Sequence, residues 1–289
     1  MHPLLLHNGE LRDTRDNFLS PGQVGLLNGW GVFSTIRVYD GVMFAWQRHW
    51  DRMVRDAKKL RVPMPTEKSL EEQLLKLIEG NQAYNSTLRV CVVRNRGGMF
   101  EGPAVKTDID VIAFTRDVND WGESVRLGIV QQARHSTNEF SGTKVTSWAY
   151  NLAWYEEAHE NGFDEVVLLN ERNEVSECTS ANIFTVHAGR VFTPALRTAG
   201  CLAGITRDVI LNDLQIAGIE VAEHTLLFPD LMNADEIFIT STTREVMPVA
   251  YVDQIGAKAV AGRVTAQVRQ AFTEFTRAYT DRHKAALQA

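Results

Sequence analysis

ECTSANIFTVHAGRVFTPALRTAGCLAGITR (177–207) packs three local devices into one stretch. Glu177 is an acid among small polar residues, lying between two apolar strand segments. Taken alone it reads as a turn acid, and its position is unusual unless it is paired. SANIFTVHAGRVFTP (180–194) reads as two strands about an Ala188-Gly189 turn. LAGITRD (202–208) is a Gly-led turn entering a helix. Backbone N–H groups of Ile205 and Thr206 at such a start would face an anion, with the helix dipole adding to the attraction. A simple helix cap is the plainer reading.

Outward from there the chain mixes strands and helices without a βαβ rhythm, which predicts an α+β fold. Downstream, GITRDVILNDLQIAG (204–218) predicts an amphipathic helix, DEIFITS (235–241) a strand and residues 262–282 a final helix. ITSTTRE (239–245) ends a strand on a run of hydroxyl residues, including Thr242. Upstream, NLAWYEEAHENG (151–162) reads as a helix closing at Gly162 and DEVVLLN (164–170) as a strand. In the first third, Asn8-Gly9 and Asp40-Gly41 suit type I′ hairpin turns. Apolar spacing from Trp46 to Leu60 predicts a helix stopped at RVPMP (61–65). Ser69-x-x-Glu72 reads as a capping box opening a second helix, with Leu74, Leu77 and Ile78 inward. TLRVCVVR (87–94) and DIDVIAFTR (108–116) read as strands, joined by a loop. The polar stretch DVNDWGES (117–124) reads as a linker, so a domain of residues 1–116 and another of 125–289 are expected.

The 289 residues are 44% hydrophobic and 23% charged, ordinary for a globular protein. A net charge of −6 argues against nucleic acid as the main partner. Cys91, Cys178 and Cys201 form no C-x-x-C, so a reducing compartment and a cytoplasmic protein are expected. No run is long enough to span a membrane, and no metal-ligand spacing stands out.

Lys144, in EFSGTKVTSWAYNLAW (139–154), is the only lysine between Lys106 and Lys258, with no acid nearer in sequence than Glu139. It can be an ordinary solvated side chain. Ser141-x-x-Lys144 also matches the S-x-x-K of serine acyltransferases, but the S-D-N and K-T-G elements are missing. The third reading is a Schiff-base lysine for pyridoxal 5′-phosphate. That chemistry needs a carboxylate at the pyridine nitrogen, a phosphate cradle and a clamp for the substrate carboxylate. Glu177, the 202–208 and 239–245 turns, and the arginines supply candidates.

Residues 177–207 together resemble the signature of the class IV (fold type IV) pyridoxal-phosphate aminotransferases. The pattern runs from a glutamate through Asn-aliphatic-Phe and a hairpin to a Gly-Ile-x-Arg helix start. HWDR (49–52) is similar to the family's H-x-x-R, and TSTTREVMPV (240–249) to its second phosphate loop. The resemblance implies a small N-terminal α+β domain, a larger C-terminal domain with a barrel-like sheet, and a homodimer. It implies Lys144 as the Schiff-base lysine and proton shuttle, and Glu177 at the pyridinium. It also implies Arg52, Ile205, Thr206 and Thr242 at the phosphate. Spacing alone would leave Arg52 on a helix surface.

Within the family, Arg37 and Arg89 fall where α-carboxylate contacts gather, and Trp30, Phe33 and Met99 could wall a side chain. LRVCVVRNRGGM (88–99) resembles the branched-chain enzymes; FSTIR (33–37) is closer to the Phe-Thr-Thr-x-Arg of aminodeoxychorismate lyases. The segment after Lys144, VTSWAY, departs from the Gly-Gly-Asn-Tyr of branched-chain enzymes. The expected activity is amino transfer between an α-amino acid, aliphatic or branched by preference, and a 2-oxo acid. A lyase releasing 4-aminobenzoate and a D-amino acid or (R)-amine transaminase are the alternatives.

Overall fold

The computed structural model describes all residues except 21, 98–104, 106, 259, 261 and 288–289. Two compact units divide the chain: Met1–Asn119 with Lys144–Trp148 and Tyr279–Ala289, and Asp120–Thr143 with Ala149–Ala278. Each is therefore assembled from separate stretches, whereas the expected division at 117–124 is a single cut.

In the first unit the elements are β1 (Leu4–His7), β2 (Glu10–Asp13), α1 (Val24–Asn28), β3 (Gly31–Tyr39), β4 (Val42–Met43), α2 (Trp46–Leu60), α3 (Glu67–Gly80), β5 (Ser86–Arg94) and β6 (Ile109–Arg116). The six strands form one sheet in the order β2-β1-β6-β5-β3-β4, all pairs antiparallel. Both hairpin turns hold the expected left-handed residues, Asn8 and Gly9 at φ 49° and 88°, Asp40 and Gly41 at 48° and 85°. One face of the sheet, through Val32, Ile36, Leu88 and Val90, packs with Met53 and Ala57 of α2 and Leu70, Leu74 and Leu77 of α3. The capping box is corrected: α3 begins earlier, behind Thr66, and Ser69 lies inside it, accepting a hydrogen bond from Gln73. Pro65 ends the preceding segment, so the helix opens at the first residues free to form it.

The second unit holds β7 (Val125–Arg134), α4 (Ala149–Glu160), β8 (Glu165–Asn170), β9 (Val175–Cys178), β10 (Asn182–His187), β11 (Arg190–Pro194), α5 (Leu196–Ala199), α6 (Ile205–Asn212), β12 (Val221–His224), α7 (Phe228–Asn233), β13 (Glu236–Ser241), β14 (Glu245–Val252), β15 (Gly256–Ala257) and the first part of α8 (Arg263–Leu287). Its strands run β12-β11-β10-β13-β14-β7-β8-β9 in one curled, barrel-like sheet, with β15 on β14. Ile183, Ile237, Ile239 and Val249 build one face of its core. Phe184 and Phe238, directly opposite in register, stack at 4.8 Å on the other. The helix expected over 204–218 stops at Asn212, where Asn212 and Asp213 are poor helix formers.

Candidate active site

In the first unit, α2 turns its polar residues inward. His49, Arg52 and Asp56 recur at three- and four-residue spacing, so they share one face; their exposures are 1, 6 and 1%. This corrects the surface placement that spacing suggests for Arg52. Its Nη2 donates to Ser34 Oγ on β3 (2.8 Å), and that hydroxyl lies 2.7 Å from His49 Nδ1. With Arg52 donating to it, the hydroxyl hydrogen goes to Nδ1, and the proton of the neutral imidazole sits on Nε2. Nε2 is buried and has no hydrogen-bond partner among the described residues. Burial first, then the charges of Arg52 and Lys144, push this imidazole well below its ordinary 6.5. Burial also brings the Arg52 guanidinium down to about 10, while Asp56 works in the opposite direction.

Lys144 is held by its main chain. Its N–H donates to Asp56 Oδ2 (3.0 Å), and its carbonyl accepts from Phe33 N–H (3.2 Å). Val145 bridges Val32, and Thr146 N–H reaches the Gly31 carbonyl (3.0 Å). The Lys144 Nζ lies 4.5 Å from the centre of the Phe33 ring. Arg89 sits 4.4 Å from the same ring and 6.0 Å from that of Trp148, and burial lowers its pKa. Arg37 and Arg89 do fall on neighbouring strands, on one face, because Thr35 pairs Arg89 and Arg37 pairs Thr87. Their surroundings differ. Arg37 Nη1 donates to the Val38 and Ser86 carbonyls, both at 2.9 Å, and its guanidinium lies over Tyr39. Met99 lies outside the described residues.

In the second unit Glu177 is no turn acid. It lies on β9 opposite Leu168, 9% exposed, with Oε1 accepting from Arg134 Nε (3.0 Å) and Oε2 from Leu202 N–H (2.9 Å). Arg134 also donates to Asn151 (3.1 Å), and Asn151 to the Thr179 carbonyl (2.9 Å), which fixes the ion pair from two sides. The turn after Glu177 is tied down by buried Glu165, which accepts from the Thr179 and Ser180 hydroxyls and pairs with Arg244 at 3.2 Å. Arg244 immediately follows Thr242-Thr243, so one ion pair braces both loops. No side chain caps α6, whose first residues Ile205 and Thr206 are 7 and 4% exposed. Asn182 Nδ2 holds the Leu202 carbonyl (2.8 Å), and a Cβ at Gly204 would collide with the Asn182 side chain. Thr242 is half-buried in the β13–β14 turn, which closes on a left-handed Glu245 (φ 54°).

Sequence reasoning missed Ser34, Asp56, Arg134, Glu165 and Arg244. Asn182 alone had a signal, as the Asn of the Asn-aliphatic-Phe run. Ser141 lies in a turn rather than a helix, with its hydroxyl donating to the His135 carbonyl (2.6 Å). The S-x-x-K reading has no support, since i and i+3 share a face only on a helix.

Pyridoxal phosphate asks for an amine, an acceptor for a pyridinium proton and donors for a dianion. The donor set fits. Glu177 has two partners and room for a third, since a carboxylate offers about four acceptor sites. Within the second unit, the start of α6, which no side chain caps, offers main-chain donors of the kind a phosphate takes. Among the described residues no cluster of His, Cys, Asp and Glu could hold a metal ion.

Residues 31–252 match the family model of the class IV amino-transferases. The branched-chain-amino-acid aminotransferase of Escherichia coli K12 is 30% identical over 280 residues, 92% of this chain and 90% of its own. A solved E. coli branched-chain enzyme superposes with a TM-score of 0.85 at 28% identity, covering 95% of this chain and 94% of that one. The D-alanine aminotransferase of Listeria monocytogenes 10403S is 29% identical, over 93% of this chain and 95% of its own. Fold, donor set and matched residues agree: the chain belongs to the class IV amino-transferases, pyridoxal-phosphate-dependent enzymes that move amino groups between amino acids and 2-oxo acids.

Proposed function

We propose that this aminotransferase takes α-amino acids with aliphatic or branched side chains and passes their amino group to a 2-oxo acid, as a cytoplasmic homodimer. The observation that carries the substrate reading is the Phe33 ring, flanked by Lys144 Nζ at 4.5 Å and by Arg89 at 4.4 Å. An amine-handling group and a carboxylate-binding group thus share one apolar wall, which matches a substrate bearing both functions beside an apolar side chain. Arg89 is the clamp, because a guanidinium holds a carboxylate bidentately and this one lies over the Phe33 and Trp148 rings. Arg37, already engaged by two carbonyls, belongs to the scaffold. The names of the two E. coli relatives support the branched-chain preference.

Lys144 Nζ carries the cofactor and moves the proton at the substrate Cα. When bound, pyridoxal phosphate supplies an electron sink that stabilises negative charge at that carbon. Glu177 keeps the pyridine nitrogen protonated, while the Arg134 pairing holds its carboxylate in place. Arg52, Ile205, Thr206 and Thr242 hold the phosphate, no one of them dominating because several donors share one dianion.

Borohydride reduction and peptide mass mapping are expected to find the cofactor on Lys144. Leucine or valine with 2-oxoglutarate should then cycle the visible absorbance steadily. Label on another lysine overturns the Lys144 assignment. Faster cycling with D-alanine, or pyruvate released from aminodeoxychorismate without an acceptor, moves the protein to a different branch of the family.

A further inference from the structure

We propose that Asp56 is the positioning residue of Lys144: its buried carboxylate holds the lysine's main-chain N–H and so fixes the point from which the amine reaches out. This rests on Lys144 being the cofactor lysine. The sequence sets the two residues 88 positions apart, and α2 brings them together at 3.0 Å. Asp56 is 1% exposed, and nothing in a helix of this kind requires a carboxylate there; the neighbouring inward positions are Met53 and Ala57. A buried carboxylate persists only where it is paired and hydrogen-bonded. Its Oδ1 pairs with Arg55, at 2.9 Å from Nη2, and its Oδ2 goes to Lys144.

The rest of the lysine's backbone is already committed. Its carbonyl accepts from Phe33, and the next two residues pair with Val32 and Gly31 at the edge of β3. Without Asp56 the Lys144 N–H would lose the acceptor it has at 3.0 Å. A carboxylate makes a shorter and stronger bond to N–H than a neutral carbonyl does. The same carboxylate opposes the loss of charge that burial imposes on Arg52, one turn away on α2. A single helix face therefore fixes the origin of the lysine side chain and supports the charge of the arginine expected at the phosphate. A lysine that must leave and regain the same covalent partner in each turnover needs a fixed origin, since small displacements of a reacting group cost rate steeply.

The test uses the holoenzyme and three variants. Asp56→Ala and Asp56→Leu remove the acceptor, the second while keeping the volume filled so that it survives where a cavity would unfold the first. Asp56→Asn keeps an acceptor oxygen. Amide hydrogen exchange resolved to Lys144 should quicken about tenfold or more in Ala and Leu. Amides of β5 and β6 should keep their protection, and Asn should stay within about threefold of the parent. The visible circular dichroism of the lysine-bound cofactor should weaken in Ala and Leu and be restored in Asn, with kcat falling more than KM rises. A purely structural role would lower stability evenly across the unit and leave the dichroism of the surviving fold unchanged. Parent-like exchange at Lys144 in Asp56→Leu, or Asn behaving as Leu does, overturns the proposal. Failure of borohydride to label Lys144 in the parent would instead strike the cofactor assignment, while the exchange result still reports whether Asp56 holds that amide.

Discussion

His49 is a residue whose environment leaves a measurable mark. Burial keeps its imidazole neutral in the fold, whereas the unfolded chain takes up a proton below the ordinary 6.5. The native state thus binds fewer protons, so the contribution of His49 is full above that pH and is lost as pH falls, by about 1.4 kcal/mol per unit. His49→Gln should flatten the pH dependence of the urea unfolding free energy between about pH 5 and 6.5. An unchanged slope would mean that the native imidazole accepts the proton. The two arginines of the first unit should separate just as clearly. Arg89→Ala should raise KM for amino acids roughly 10- to 100-fold, the worth of a charged hydrogen bond, and leave simple amines unaffected. Arg37→Ala should instead cost about 1–3 kcal/mol of stability, by stripping two carbonyls of their donor. The reverse outcome, substrate effects from Arg37 and stability loss from Arg89, would exchange their roles. Lys144 and Glu177 stand out in the sequence because their chemistry is odd for their neighbourhoods. Arg134 and Asp56 do not, since each matters through a partner 43 or 88 residues away. Lys144 looked remote from any acid only along the chain.

At the scale of elements, hairpins and long helices were legible wherever a turn residue or a proline marks the boundary. Asn8-Gly9 and Asp40-Gly41 turn as their residue types suit, while Ala188-Gly189 turns with the alanine itself in the left-handed region at φ 49°. Where competing caps stand close together the sequence misleads: Ser69 and Glu72 fit a capping box, yet Thr66 lies nearer to Pro65 and takes the start. The turn into α6 shows what its glycine is for. Gly204 has an ordinary φ of −69°, so conformation does not demand glycine there. Space does, because a methyl group would displace the Asn182 side chain from the Leu202 carbonyl. Gly204→Ala should therefore cost about 1–3 kcal/mol and weaken cofactor binding. In Asn182→Ala the same change should be nearly neutral, a coupling that a double-mutant cycle reads directly. Additive effects would place the clash elsewhere.

For the whole molecule, the large apolar side chains Tyr150, Leu152 and Phe140 are 79, 53 and 45% exposed, and the homodimer proposed above would cover such groups. Sedimentation should give twice the 32.5 kDa of the chain, and Tyr150→Arg should shift the balance toward single chains. A protein that sediments as one chain at working concentration would end the homodimer reading. The first unit carries a different consequence, for the order in which the protein is made. Its residues include Lys144–Trp148 and Tyr279–Ala289, and Tyr279 packs edge-on against Phe44 at 5.0 Å. A nascent chain that has emerged as far as Asn119 therefore holds a sheet in which the Gly31–Phe33 edge away from β5 lacks its Lys144–Thr146 partner and in which Phe44 lacks the Tyr279 ring. Translation must run past Tyr279 before that unit can close. Until then an unpaired strand edge is open to any passing chain, and a ribosome that stalls midway leaves a product for chaperones to shield or proteases to clear.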